Sequence, residues 1–257
     1  MKGFCPLASG SKGNVIFLGT ENTRILIDAG CSGKQIETRL KEIDVSLQDI
    51  DAILITHEHA DHINGLKVLA GRKKIPVLAN RETLQGIYRN IGFLPPCKLF
   101  TTNEPFQFRD LKIFPFSIQH DTLDPVGFVI ETDGLRLGFC TDLGFVTTLV
   151  TRSLSRCHYL YLESNHQPSM VYSSNRSTLY KQRVLSKQGH LSNEACGSLL
   201  SAVFHPDLRH VHLAHLSSEC NTPEVALMVV KTILERNGQE VDISIAHQDK
   251  ISKKILF

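Results

Sequence analysis

Apolar residues in this chain come in short runs broken by turn residues. Between the runs lie stretches whose apolar positions recur at helical spacing. Asn14–Leu18 and Arg24–Asp28 read as a strand pair around the turn Gly19-Thr20-Glu21-Asn22. Ile36, Leu40 and Ile43 share one face of a helix over Gly33–Ile43. Asp51–Thr56 reads as a buried strand that stops abruptly at His57. Asp61–Ala70 then reads as a helix, with Asp61 near its positive end. A second strand-rich region covers Leu111–Phe116, Val126–Glu131 and Leu135–Thr141, with Asp133-Gly134 as a hairpin turn. Strands follow at His158–Leu162, Arg209–Ala214 and Val241–Ala246, and helices at Leu191–Phe204 and Pro223–Glu235. Two strand-plus-helix halves predict a sheet sandwich with helices outside. No repeat or flexible linker divides the chain, so a single domain over residues 1–257 is expected.

Composition narrows the class. The 42% hydrophobic fraction suits a packed globular chain. Lysine plus arginine (28) barely exceeds aspartate plus glutamate (26), so any nucleic-acid surface must be a local patch rather than a global field. No apolar run approaches the roughly 20 residues of a membrane helix. Met1-Lys2-Gly3-Phe4 leads into no apolar signal region. Seven cysteines, an odd number with no C-x-x-C pair, predict reduced thiols acting as small apolar residues in a cytoplasmic protein.

The chemistry concentrates in Thr56-His57-Glu58-His59-Ala60-Asp61-His62. A strand rising into a tight loop and then a helix aims alternate side chains at one point. Imidazole and carboxylate are the donors that zinc, manganese and iron prefer. The spacing is not the H-E-x-x-H of zinc proteases, because Asp61 stands where the second histidine would be. H-x-H-x-D-H resembles the signature of the metallo-β-lactamase superfamily, and the resemblance covers nearly the whole chain. It implies an α/β fold, the αββα four-layer sandwich, with metals along one edge. It also implies three further ligands: His120 in Gln119-His120-Asp121, Asp142 in Cys140-Thr141-Asp142-Leu143-Gly144, and His215 in His212-Leu213-Ala214-His215. By the same resemblance, His57, His59 and His120 hold one divalent ion, Asp61, His62 and His215 hold the other, and Asp142 bridges. All donors are N or O, so Zn²⁺ and Mn²⁺ both suit them.

Finer motifs resemble one branch, the WalJ/YycJ-type proteins. These are Leu7-Ala8-Ser9-Gly10-Ser11-Lys12-Gly13-Asn14, Glu163-Ser164-Asn165-His166 and Gly189-His190-Leu191-Ser192-Asn193. That branch carries Asp after the E-S-N-H run, whereas this chain has Gln167, so substrate recognition there is expected to differ. The branch implies 5′-to-3′ exonuclease action on DNA, with metal-activated water attacking the phosphodiester. Asp61 would orient that water, and His190 would protonate the leaving oxygen. Ser9, Ser11, Asn14, Lys181, Arg183 and Asn193 are the candidate substrate contacts. For Ser9–Asn14 a tight turn is an equal reading. For Lys181, Arg183 and Lys187 an ordinary solvated helix face competes with phosphate binding. Two other functions stay in view: a small-molecule, cyclic-phosphate phosphodiesterase, and a non-catalytic regulatory protein, against which the complete ligand set argues.

Overall fold

The computed structural model describes residues 1–257. Its first elements are β1 (Gly3–Ala8), β2 (Val15–Gly19), β3 (Arg24–Ile27), α1 (Gly33–Lys41), β4 (Ala52–Leu54), α2 (Ala60–Ile63), β5 (Val77–Ala79), α3 (Arg81–Ile91) and β6 (Cys97–Leu99). There follow β7 (Phe106–Phe108), β8 (Leu111–Ser117), β9 (Val126–Thr132), β10 (Leu135–Cys140), α4 (Thr148–Leu154) and β11 (Tyr159–Glu163). The chain closes with α5 (Pro168–Ser173), α6 (Thr178–Val184), α7 (Asn193–Val203), β12 (His210–Ala214), α8 (Pro223–Arg236), β13 (Asp242–Ile245) and β14 (Ile255–Leu256). No helix is long and apolar enough to cross a membrane.

The strands form two seven-stranded sheets, ordered β14-β1-β2-β3-β4-β5-β6 and β13-β12-β11-β10-β9-β8-β7. The chain divides into two compact units. One is Met1–Pro115 with Thr122–Val126 and Ala246–Phe257; the other is Phe116–Asp121 with Gly127–Ile245.

In the first unit, β1, β2 and β3 pair antiparallel, while β3 to β6 pair parallel. Leu7, Phe17, Leu26, Ile53 and Ile55 pack against Ile36 and Leu40 of α1 in one fully buried cluster. Each such side chain contributes about 1.5–3 kcal/mol by leaving water. Ser32 caps α1 through a reciprocal box with Gln35, which fixes where the helix starts. Strand β1 lies outside the sequence expectation because Pro6 breaks its run. The β1–β2 register shifts between Pro6 and Ala8, and that irregularity accommodates a residue with no N–H.

The helix expected over Asp61–Ala70 is shorter and interrupted. Regular α-helix ends at Ile63, and a wider π-type turn covers Lys67–Arg72. The cause is a competition for backbone groups. The Asp61 carbonyl, which Gly65 would use in a continuous helix, accepts from Asn14 N (2.8 Å). Gly65 N donates instead to Ala29 O (2.7 Å).

In the second unit, β10, β11, β12 and β13 run parallel in register. The loops after β10, β11 and β12 therefore leave from one edge, as do those after β3 and β4 in the first unit. In α/β sheets that edge, beyond the carboxyl ends of parallel strands, is where ligands bind.

Candidate metal-binding clusters

Beyond β4, Ile55 still pairs with β5, its N–H donating to Leu78 O, before the chain turns at Thr56. His57 and His62 are buried and His59 is half-buried. Their rings pack closely, with centroids 4.0 Å apart for His57 and His62 and 4.9 Å for His57 and His59. Asp28, the residue after β3, lies beneath them and orders the group. It accepts from Thr56 N (2.9 Å) and from the Thr56 hydroxyl (2.9 Å), and its Oδ2 sits 2.8 Å from His62 Nδ1. A carboxylate can only accept, so His62 carries its proton on Nδ1 and keeps Nε2 as a lone-pair donor. Thr56 Oγ1, whose hydrogen goes to Asp28, lies 2.9 Å from His57 Nδ1 and holds that ring in the same tautomer.

Asn14 closes this cluster. Its Nδ2 lies 3.0 Å from His62 Nε2 and donates to Asp61 Oδ2 (3.3 Å), while its Oδ1 accepts from Gly10 N. Gly30 lets the two loops meet. A Cβ there would lie 1.6 Å from the Asp61 carbonyl oxygen.

The second unit builds a cluster around Glu163, the last residue of β11. Glu163 is fully buried and accepts four bonds. Oε1 lies 2.8 Å from His190 Nδ1 and 2.9 Å from His215 Nδ1. Oε2 accepts from Leu143 N (2.7 Å) and Leu191 N (3.1 Å). Burial pushes its carboxyl upward, but the charge of His190 and the bonds from both imidazoles outweigh it, holding the group down to about 2. An ionised Glu163 fixes both histidines as Nδ1–H tautomers. His120 is set the same way, with Nδ1 3.1 Å from Gly189 O, and its Nε2 lies 3.7 Å from Asp142 Oδ1. A Cβ on Gly189 would lie 2.2 Å from the Arg183 carbonyl oxygen, so only glycine admits this loop.

Donor chemistry in both clusters fits divalent cations. In the second unit one ligand atom from each of Asp142, Glu163, His190 and His215 falls within 4.8 Å of the others. Buried imidazoles with Nδ1 tied to oxygen, and Nε2 turned away from it, are the arrangement metal-binding histidines use. Asp28, Asp142 and His215 all have positive φ, at 60°, 58° and 55°. Left-handed backbone costs a non-glycine residue about 1–2 kcal/mol, and such outliers concentrate where side chains must be aimed.

The remaining expected residues fall in different settings. Ser9 is buried and Ser11 exposed. Asn14 is buried against His62 and Asp61. Asn193 is fully buried; its Oδ1 accepts from the Ser164 hydroxyl and its Nδ2 donates to Gln167 and Asn221, so it holds loops together. Lys181 and Arg183 are at the surface, with Arg183 Nε 2.7 Å from Asp121 Oδ2. Gln167 donates to Glu194 Oε1 (2.6 Å), where an aspartate would set two carboxylates together. Asp28 stands outside the sequence motifs and Glu163 opens one of them without an assigned role, yet they organise the two clusters. The signal each offers is a carboxylate at the end of an apolar run, R-I-L-I-D and Y-L-Y-L-E.

A family model described as the beta-lactamase superfamily domain matches residues 23–227. The exodeoxyribonuclease YycJ of Bacillus anthracis is 35% identical over 237 residues, 91% of this chain and 90% of its own length. The exodeoxyribonuclease WalJ of Streptococcus pneumoniae is 35% identical over 228 residues, 87% of this chain and 85% of its own. Among solved structures, the metallo-β-lactamase fold protein YhfI of Bacillus subtilis superposes with a TM-score of 0.74 at 13% identity, covering 97% of this chain and 98% of that one.

Proposed function

This chain belongs to the beta-lactamase superfamily, in its WalJ/YycJ-type branch, and on that premise we propose that it is a DNA exonuclease working in the 5′-to-3′ direction with two divalent metal ions. The αββα sandwich expected from sequence is the fold of this family. Membership makes the chain a metal-dependent hydrolase. The observation that carries the DNA reading is near-full-length similarity to relatives named exodeoxyribonuclease. All seven cysteines are free, which fits the reducing cytoplasm where we place it.

The metal donors in this reading are His57, His59, Asp61, His62, His120, Asp142 and His215, with either Zn²⁺ or Mn²⁺ as the ion. Bound there, the cations supply acidified water near neutral pH and positive charge against the phosphate oxygens. The protein's own groups do the rest. Asp28 and Glu163 hold the rings of His62 and His215 with the proton on Nδ1 and the lone pair on Nε2. Asp61 is half-buried beside Asn14 and orients the attacking water. His190 keeps about a fifth of its side chain exposed, more than its neighbours His120 (1%) and His215 (3%). With Nδ1–H held by Glu163, only the doubly protonated ring carries a hydrogen on Nε2, and that is the proton it delivers to the leaving oxygen, returning to the neutral Nδ1–H form.

The test is purified protein with Mn²⁺ or Zn²⁺ against end-labelled duplex DNA, single-stranded DNA, RNA and bis(p-nitrophenyl) phosphate, alongside elemental analysis. Two metals per chain and stepwise release of nucleotides from the 5′ end are expected. Turnover of the small diester with no DNA cleavage would overturn the exonuclease reading in favour of a small-molecule phosphodiesterase. Full metal occupancy with no turnover of any substrate would leave a non-catalytic protein.

A further inference from the structure

A groove of about 500 Å³ lies between α3 and the segment that leads through β6. Leu84, Tyr88, Leu94 and Leu99 give it an apolar lining. Three of them stand well out of the core, with Tyr88 53%, Leu94 61% and Leu99 52% exposed. Arg81 and Arg89 line it too, and no acidic residue does; Glu82 of the same helix lies outside the lining. The inner face of α3 is already occupied. Thr83, Gly86 and Ile87 are buried, and Asn90 Nδ2 donates to Glu58 O (2.9 Å) in the H-E-H loop. Strand β6 adds main-chain groups, because it is the last strand of its sheet. Val77 N donates to Pro96 O and Phe100 N donates to Ala79 O, so residues 96, 98 and 100 face β5. Alternation along the strand then turns the N–H and C=O groups of Cys97 and Leu99 outward.

An apolar groove beside an open sheet edge suits an extended peptide, whose main chain pairs with the strand while alternate side chains fill the groove. Charge decides which peptide. Arg109, Arg136, Arg176 and Arg183 each pair with a carboxylate, but neither Arg81 nor Arg89 is engaged by one. Lys98, beside Leu99, is exposed as well. A second copy of the chain would bring the same cations against these. Pro95, Pro96 and Lys98 are also the residue types that stop an edge strand from pairing with itself. DNA phosphates would satisfy the arginines but leave the apolar lining in water. Carboxylates match the planar guanidinium fork, and apolar side chains match the lining. We propose that the groove between α3 and β6 docks an extended segment of a partner protein that is rich in aspartate or glutamate and carries large apolar side chains. Because the inner face of α3 packs on Glu58, the occupant sits on the far side of the helix from the H-E-H loop and does not compete for its histidines.

The test selects a random library of peptides about twelve residues long, displayed on phage, on the metal-loaded protein, with counter-selection on a variant carrying Arg81→Ala and Arg89→Ala. Enriched peptides should combine acidic with large apolar residues. The most enriched one, labelled with fluorescein and titrated by fluorescence anisotropy, should bind about 2- to 5-fold more weakly for each arginine replaced. Leu99→Ser should cost about 10-fold or more, and Tyr88→Phe, which keeps the ring, should bind as wild type does. Exchanging the peptide's acids for lysines leaves the protein untouched and should abolish binding. Thermal melting checks that each variant is folded. No enrichment, enriched peptides without acids, or an affinity indifferent to both arginines and to the peptide's acids overturns the proposal. Dimerisation in sedimentation that Leu99→Ser removes would overturn it by making a second copy the occupant. Binding of duplex DNA that Leu99→Ser weakens by the same factor would overturn it by making the groove part of a nucleic-acid surface.

Discussion

Replacing Glu163 with glutamine tests the organisation of the second cluster with the loss of one charge and almost no change in shape. Glu163 accepts four bonds, two from imidazole Nδ1–H groups and two from backbone N–H groups. A glutamine side chain has one oxygen and one NH₂. Whichever way it turns, the NH₂ meets a pair of donors, so two bonds are lost in a fully buried position. Hydrogen bonds to a charged group contribute about 1.5–3 kcal/mol each, which makes the expected loss about 3–6 kcal/mol. That is a large part of the roughly 5–15 kcal/mol that ordinarily separates folded from unfolded chains. Urea unfolding of metal-free wild type and Glu163→Gln, followed by circular dichroism, reads this as a lowered midpoint. Because His215 loses its fixed tautomer, metal affinity in a chelator competition should also fall, by about 10- to 100-fold. A variant with wild-type midpoint and wild-type affinity would refute the account of Glu163 as the group that sets both rings.

Three further outcomes rest on the same geometry. His190→Ala should keep metal content but lose about 10²- to 10⁴-fold in turnover on DNA. The deficit should shrink for bis(p-nitrophenyl) phosphate, whose leaving group needs no proton; loss of metal as well would make His190 a ligand. Neutralising Lys181, Arg183 or Lys187 singly should each reduce the log–log slope of DNA affinity against salt by about 1, whereas an unchanged slope for all three would return them to a solvated helix face. Burial pushes the thiols of Cys5 up to about 11 and of Cys157 and Cys196 up to about 12, so iodoacetamide at a pH of about 8 should spare them. Cys97, the one cysteine not fully buried, should be labelled first, and mass spectrometry would expose any other order.

The candidate metal donors are legible in the chain because coordination constrains residue type and spacing together. An ordinary solvated loop has no reason to carry H-x-H-x-D-H directly after an apolar strand, and His120, Asp142 and His215 are marked only through the resemblance that this signature carries. Strand and helix periods locate β3, β4 and β10 to β13 to within a residue or two, since burial must repeat along the element, whereas the three-residue parallel strands β5 and β6 are too short to show a period and lie outside the sequence expectation. The supporting residues are not legible. Asp28 ends an ordinary apolar run, and Glu163, although it opens the E-S-N-H motif, has no spacing to the histidines that would reveal its role. Their roles come from strand pairing, which brings Asp28 to His62 across 34 positions and Glu163 to His215 across 52. Asn14 and Asn193 show the same limit. Motif position alone marks both as substrate contacts, but burial and fully used hydrogen bonds make them internal braces. The broken helix after Asp61 depends on a carbonyl claimed by Asn14, 47 positions earlier in the chain. Local propensity describes what a segment prefers alone. Which partner takes a backbone group or a buried charge is settled only when distant strands are laid side by side.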